Sequence, residues 1–167
     1  MSDVAVRVTQ ETYPILGTSR SEILRSIERR GPRKNGDRYV AYTTWDIGWD
    51  YDLRPEGGTV RVVRPRVHVS AHVILPTWRE KHKAGGDLVQ SWNRAIEAIT
   101  SHESEHIALG MQAGHRVLDR LRRIAPSRSL DRAAVDDVAR QEIAVIQARE
   151  KKHDRDTKNG LTQGTWI

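Results

Sequence analysis

The chain has 167 residues, about one domain's worth, of which 37% are hydrophobic and 30% charged. Apolar stretches such as Val73-Ile74-Leu75-Pro76 stop far short of the roughly 18 uncharged residues a spanning helix needs, which excludes a transmembrane segment. Cysteine is absent, so disulfides, thiolate metal sites and cysteine nucleophiles are excluded, and 28 basic against 22 acidic residues leave a net charge of +6.

That charge invites a nucleic-acid partner. The densest basic runs, Arg29-Arg30-Gly31-Pro32-Arg33-Lys34 and Arg120-Leu121-Arg122-Arg123, fall beside a turn and at a helix end. No aromatic side chains interleave with them to stack bases, so they read as solvated basic faces and not as a nucleic-acid site. The opening residues, MSDVAVRVTQETYPILG, carry Asp3 and no apolar h-region, so no signal peptide is expected there.

Rough alternation over Val4–Ile15 predicts a first strand. Ser19 followed by Glu22 forms a capping box that opens a helix over Glu22–Arg30, with Ile23, Leu24 and Ile27 on its apolar side and Gly31-Pro32 as its stop. From Tyr39 to Tyr51 the odd positions Tyr39, Ala41, Thr43, Trp45, Ile47, Trp49 and Tyr51 make one aromatic-rich strand face. Pro55, Gly57 and Gly58 read as a turn. A second long strand over Thr59–Leu75 follows, with Pro65 marking an edge or a bulge. Beyond Pro76 the period changes from 2 to 3.6. Asp87 is an N-cap candidate for a long helix reaching Ile124, and a second helix spans Leu130–Lys151 before a polar tail. Strands first and long helices second describe an α+β domain, with helices on one face of a small, mostly antiparallel sheet.

The long helix carries His102-Glu103-Ser104-Glu105-His106, the H-E-x-x-H pattern in which two histidines hold zinc and the glutamate handles the proton of a water. Four residues advance a helix by about 400°, so both imidazoles leave one side a turn apart and Glu103 flanks them. A shuffled chain of this composition would carry the pattern in roughly one case in sixty. The face is also right, because the stripe Leu88, Trp92, Ala95, Ile99 runs straight through His102 and His106 to Gly110, Ala113 and Val117. Imidazoles on a core-facing stripe need a partner.

His115 lies about 180° round from His106 and faces solvent; the extended motif would need a histidine at position 112, which is Gln112. A catalytic zinc takes three protein ligands and a water, so one ligand comes from elsewhere. Glu142, amid Val135, Val138, Ala139, Val145 and Ile146, is either that ligand or half of a buried ion pair with an arginine. The tail, His153-Asp154-Arg155-Asp156-Thr157-Lys158-Asn159-Gly160, is either a frayed polar terminus or a ligand loop offering His153 or Asp154. His68 and His72 share a strand face and read as ordinary half-exposed histidines.

These features together resemble a bacterial family catalogued as domain of unknown function 922, described as predicted secreted zinc-dependent proteases. The resemblance rests on Tyr13 to Gly17, Gly31-Pro32, the strand from Trp45 to Tyr51, Leu75-Pro76-Thr77-Trp78, the His102 to His106 motif and the tail. The family tail reads Tyr-Asp-x-x-Thr-x-His-Gly and then Gln-Gly; Asp154, Thr157, Gly160, Gln163 and Gly164 match it. His153 stands in place of the tyrosine and Asn159 in place of the histidine. If the family's third ligand is the tail aspartate, Asp154 keeps the site intact; if it is the histidine, His153 or Asp154 must serve.

The resemblance implies a single zincin-like domain over 1–167 and a secreted or periplasmic setting. It also implies a zinc metallopeptidase acting on peptide or protein substrates. His102 and His106 would bind Zn2+, Glu103 would act as general base, and the third ligand would be Asp154, His153 or Glu142. An edge strand over Arg66–Leu75 would pair with an extended peptide. The altered tail motivates the alternative, a catalytically impaired zincin relative that keeps the metal and serves as a binding module.

Overall fold

Alternating apolar residues set the strands of this protein, and a Ser-x-x-Glu box and two proline stops set its helices. The computed structural model describes residues 4–167, so Asp3 lies outside the described residues. In chain order the elements are β1 (Val4–Ile15), α1 (Arg20–Arg30), the short strands β2 (Arg33–Lys34) and β3 (Asp37–Arg38), β4 (Tyr42–Glu56), β5 (Thr59–Trp78), α2 (Gly86–Arg122) and α3 (Arg132–Thr157). Single 3-10 turns occupy Lys81–Lys83 and Leu161–Gln163.

At α1 the capping box forms in full. The Ser19 hydroxyl accepts from the Glu22 backbone N–H, and the Glu22 carboxylate accepts from the Ser19 and Thr18 backbones. Between α1 and β4 a small hairpin turns on Asn35-Gly36, both at positive φ, pairing Arg33 with Arg38 and Lys34 with Asp37. The strand expected from Tyr39 starts later, because the hairpin delays β4 to Tyr42. The β4–β5 hairpin closes on Gly57-Gly58, at φ 60° and 80°, and Pro55 belongs to the strand rather than the turn.

The three long strands form one sheet in the order β1-β5-β4. Strands β4 and β5 are hairpin neighbours and antiparallel. The contacts of β1 advance in the same sense along both segments, Thr9 with His72 in β5 and Ile15 with Arg79 just beyond its end, so the pair is parallel. The sheet is therefore mixed, which corrects the expectation of a mostly antiparallel one. It also corrects the expected peptide-pairing edge over Arg66–Leu75. Those residues lie in β5, the interior strand of the three, with β1 and β4 as its neighbours. Pro65 follows Arg64, whose φ of 53° is irregular for a strand, as a bulge at this point would have it.

The described residues group into two compact units. One takes 4–7, 45–71 and 108–152, with a core of Ile47, Tyr51, Val67 and Val69 from the sheet, Val117, Leu118 and Leu121 from α2, and Val135, Ala139 and Ile146 from α3. The other takes 8–44, 72–107 and 153–167, with a core of Tyr13, Ile15, Ile23, Ile27, Trp78, Trp92, Ala95 and Ile167. Strands packed against helices in each unit make the chain α+β. Side chains such as Ile15 and Ile23, fully buried, each contribute about 1.5–3 kcal/mol of burial free energy. No helix among the described residues is long and apolar enough to cross a membrane.

Candidate metal centre

Helix α2 positions the first part of the site. Its buried stripe runs through Trp92, Ala95 and Ile99 to His102, Glu103 and His106, which are only 5%, 7% and 7% exposed. Burial of three ionisable side chains in two turns is costly unless they have partners. Those partners come from the end of α3 and the tail. Helix α3 continues past Lys151 to Thr157, so His153 and Asp154 sit on its last turns and not in a loop or a frayed terminus.

The three groups converge closely. His106 Nε2 lies 3.1 Å from His102 Nε2 and 3.1 Å from Asp154 Oδ1, and His102 Nε2 lies 3.8 Å from the same oxygen. Three ligands at zinc's usual bond lengths and tetrahedral angles stand about 3.3–3.4 Å from one another, so this triangle has the size such an ion demands. Two imidazoles and a carboxylate are also the donor set of a borderline cation such as Zn2+. His102, His106 and Asp154 thus fit a divalent metal.

Further polar side chains hold these three in place. His102 Nδ1 lies 2.7 Å from Gln163 Oε1, and the Gln163 amide nitrogen donates to both Glu105 oxygens at 3.1 and 3.2 Å. His153 stacks on His102, centroids 5.2 Å apart and planes 18° from parallel, with its Nε2 2.8 Å from Glu105 Oε2. His102, Glu105 and His153 therefore make a second close group of metal-capable side chains.

The tail reaches the site by a left-handed turn. Lys158, Asn159 and Gly160 take φ of 50°, 54° and 85°, ending α3 and folding the chain back. The Thr157 hydroxyl donates to the His153 carbonyl and accepts from the Gly160 N–H. At Gly160 a Cβ would lie 2.6 Å from Thr165 Cγ2 and 3.1 Å from His102 Cγ, so only glycine lets the turn close on the imidazole.

The two acids respond to these surroundings in opposite ways. Burial pushes the Glu103 carboxyl above the ordinary range, and the Thr43 hydroxyl and the His106 and His102 rings reverse only part of that. Burial also acts to raise Asp154, but the hydrogen bond from His106 and the charges of His106, His102 and His153 outweigh it and hold the carboxyl below the usual value.

Other candidates lie elsewhere. Glu142 is taken by Arg116, whose Nη2 and Nε are 2.6 and 2.9 Å from Glu142 Oε2, with Arg120 at 3.9 Å from the other oxygen. That is the arginine ion pair, and Glu142 belongs to neither metal-capable group among the described residues. His115 is exposed. His72 joins Thr9 and Glu11 on the strand surface, and His68 lies across Gly48. Sequence reasoning gave no role to Thr43, Glu105 or Gln163; for Gln163 the signal was its place in the tail resemblance.

No curated protein and no solved structure matches the chain. A family described as "Bacterial protein of unknown function (DUF922)" matches residues 10–160, which takes in the end of β1, all the later strands, both long helices and the turn at Gly160. By that match the chain belongs to the DUF922 family.

Proposed function

We propose that His102, His106 and Asp154 hold a zinc ion and that the protein is a zinc-dependent metallopeptidase with Glu103 as its general base. The observation that carries this reading is the triangle of 3.1, 3.1 and 3.8 Å formed by the two imidazoles and the carboxylate, with a buried glutamate one residue from a ligand. Bound there, zinc would supply Lewis acidity, polarising a peptide carbonyl and acidifying a water.

The chain's own residues supply the rest. His102 and His106 would hold the ion through Nε2 and Asp154 through Oδ1. Glu103 takes a proton from the water and later passes it to the leaving amine. Its burial, which favours the protonated form, suits the second half of that cycle, and a bound cation would favour the carboxylate needed for the first. The setting that goes with this reading is the periplasm or the exterior of a bacterial cell.

Cleavage of a mixed peptide library by the zinc-loaded protein and by Glu103→Gln tests the reading. Turnover by the parent that falls at least 100-fold in Glu103→Gln, with zinc content unchanged, supports it. Equal cleavage by the two removes Glu103 from the mechanism. Full zinc loading with no turnover by either favours the metal-containing binding module, for which the substitutions His153 and Asn159 in the tail are the motivation.

A further inference from the structure

The ring nitrogens of a neutral histidine are not equivalent: one carries the proton and the other offers a lone pair. A histidine that is to bind a metal through Nε2 must hold its proton on Nδ1. Isolated imidazole side chains in water do not choose that form unaided, so something must select it.

At His102 the selection is legible from the donor inventory. Glu105 can only accept hydrogen bonds, and both of its oxygens lie within 3.1–3.2 Å of the Gln163 side-chain nitrogen. That contact fixes which way the Gln163 amide faces. Its NH2 must point to Glu105, so its carbonyl oxygen must point to His102 Nδ1, 2.7 Å away. An amide oxygen is also only an acceptor. Nδ1 must therefore be the donor, and Nε2 is left as a lone pair aimed at His106 Nε2 and Asp154 Oδ1.

We infer that Gln163, oriented by Glu105, is a positioning residue that locks His102 in the Nδ1–H form and so prepares its Nε2 for a metal. The inference rests on the metal-site reading for its purpose but not for its geometry. Glu105 is three residues beyond His102 on α2, and Gln163 comes from the 3-10 turn after Gly160. The tail thus acts on the helix motif through one amide group. Folding the tail back and selecting the tautomer are the same event, because Gly160 packs on the His102 ring and delivers Gln163 to its edge.

Side-chain 15N–13C correlation spectra of the metal-free protein at about pH 8.5, where an ordinary imidazole with a pKa near 6.5 is neutral, read the tautomer directly. The expected result is His102 protonated on Nδ1 in the parent. Gln163→Leu should lose that preference and bind zinc 10–100-fold more weakly, the usual size of such outer-shell effects. The exchanged pair, Glu105→Gln with Gln163→Glu, places a carboxylate against Nδ1 and an amide beside it, and should restore both the tautomer and the affinity. Rescue of this kind separates positioning from a general loss of structure.

A parent His102 carrying its proton on Nε2 overturns the inference, as does a Gln163→Leu protein with unchanged tautomer and affinity. A parent that shows the Nδ1–H form yet takes up no zinc supports the inference and contradicts the metal reading, so the two fail separately.

Discussion

Asp136 shows how a single acid ties α3 to the sheet. Its Oδ1 accepts from the Trp49 indole N–H at 2.9 Å and from the Tyr51 hydroxyl at 2.9 Å. The Trp49 bond, opposed by partial burial and reinforced by Tyr51 and the nearby Arg140 and Arg132 charges, holds its carboxyl below the ordinary range. The same contact, after burial, raises the Tyr51 phenol to about 12. Asp136→Ala should cost about 1–3 kcal/mol at pH 7 by urea unfolding, since two hydrogen bonds to a charged acceptor disappear. Because the folded pKa is depressed, the Asp136 contribution is fully present above the unfolded value of about 3.9 and is lost as pH falls through the folded value. The difference between parent and variant should therefore hold steady above about pH 5 and shrink below it; a gap that widens in acid contradicts this account. At this scale the sequence made the local part of the site legible. His102, Glu103 and His106 announce themselves because helical spacing alone brings them together. Asp154, Gln163 and Thr43 join only through the fold, and no spacing in the chain encodes those meetings. Glu142 stays open between two readings for the same reason: a glutamate amid apolar neighbours needs a partner, and only the structure shows that the arginine of the ion pair is Arg116.

The elements were most legible where local chemistry closes on itself. The capping box at Ser19 and Glu22 needs only four residues, and α1 begins directly after Ser19, at Arg20, two residues ahead of the expected Glu22. Ser19→Ala should lower stability by about 1 kcal/mol, read as a shift of the urea midpoint at constant slope. The end of α3 was less legible. Lys151-Lys152-His153-Asp154-Arg155-Asp156 shows no apolar period, and the helix persists there because His153 and Asp154 meet α2 and because Thr157 and Asn159 close its last turn. The Asn35-Gly36 hairpin was legible in principle, as this dipeptide is a strong two-residue turn signal, but the flanking strands are too short to show alternation. Close packing of α2 on β4 sets another test. At Gly110 a Cβ would lie 2.8 Å from Trp45 Cγ, and the Trp45 indole is itself held by Glu150 at 2.8 Å. Gly110→Ala should destabilise the protein despite a helix-propensity gain of about 1 kcal/mol, because overpacking against a fixed ring costs about 1–3 kcal/mol. A variant more stable than the parent would show that the ring yields.

Across the whole molecule the net charge of +6 is distributed, not focused. Arg61 pairs with Glu56, Arg64 with Asp52, Arg66 with Asp50 and Arg140 with Asp137, each at 3.1 Å or less. Binding of duplex DNA at 150 mM salt should be undetectable by gel shift, and a retained complex with a steep salt dependence would contradict that. The metal, by contrast, should act on the molecule as a whole. An ion bound only by the folded state stabilises it by about 4 kcal/mol at a thousand times its dissociation constant. The most direct measurement is the zinc content of protein equilibrated with excess zinc and dialysed, compared among the parent, Glu103→Gln and His106→Ala. The account predicts about one equivalent in the first two and little in the third, with thermal stabilisation following zinc content. A parent that retains no zinc, or a His106→Ala protein that retains as much as the parent, would contradict it.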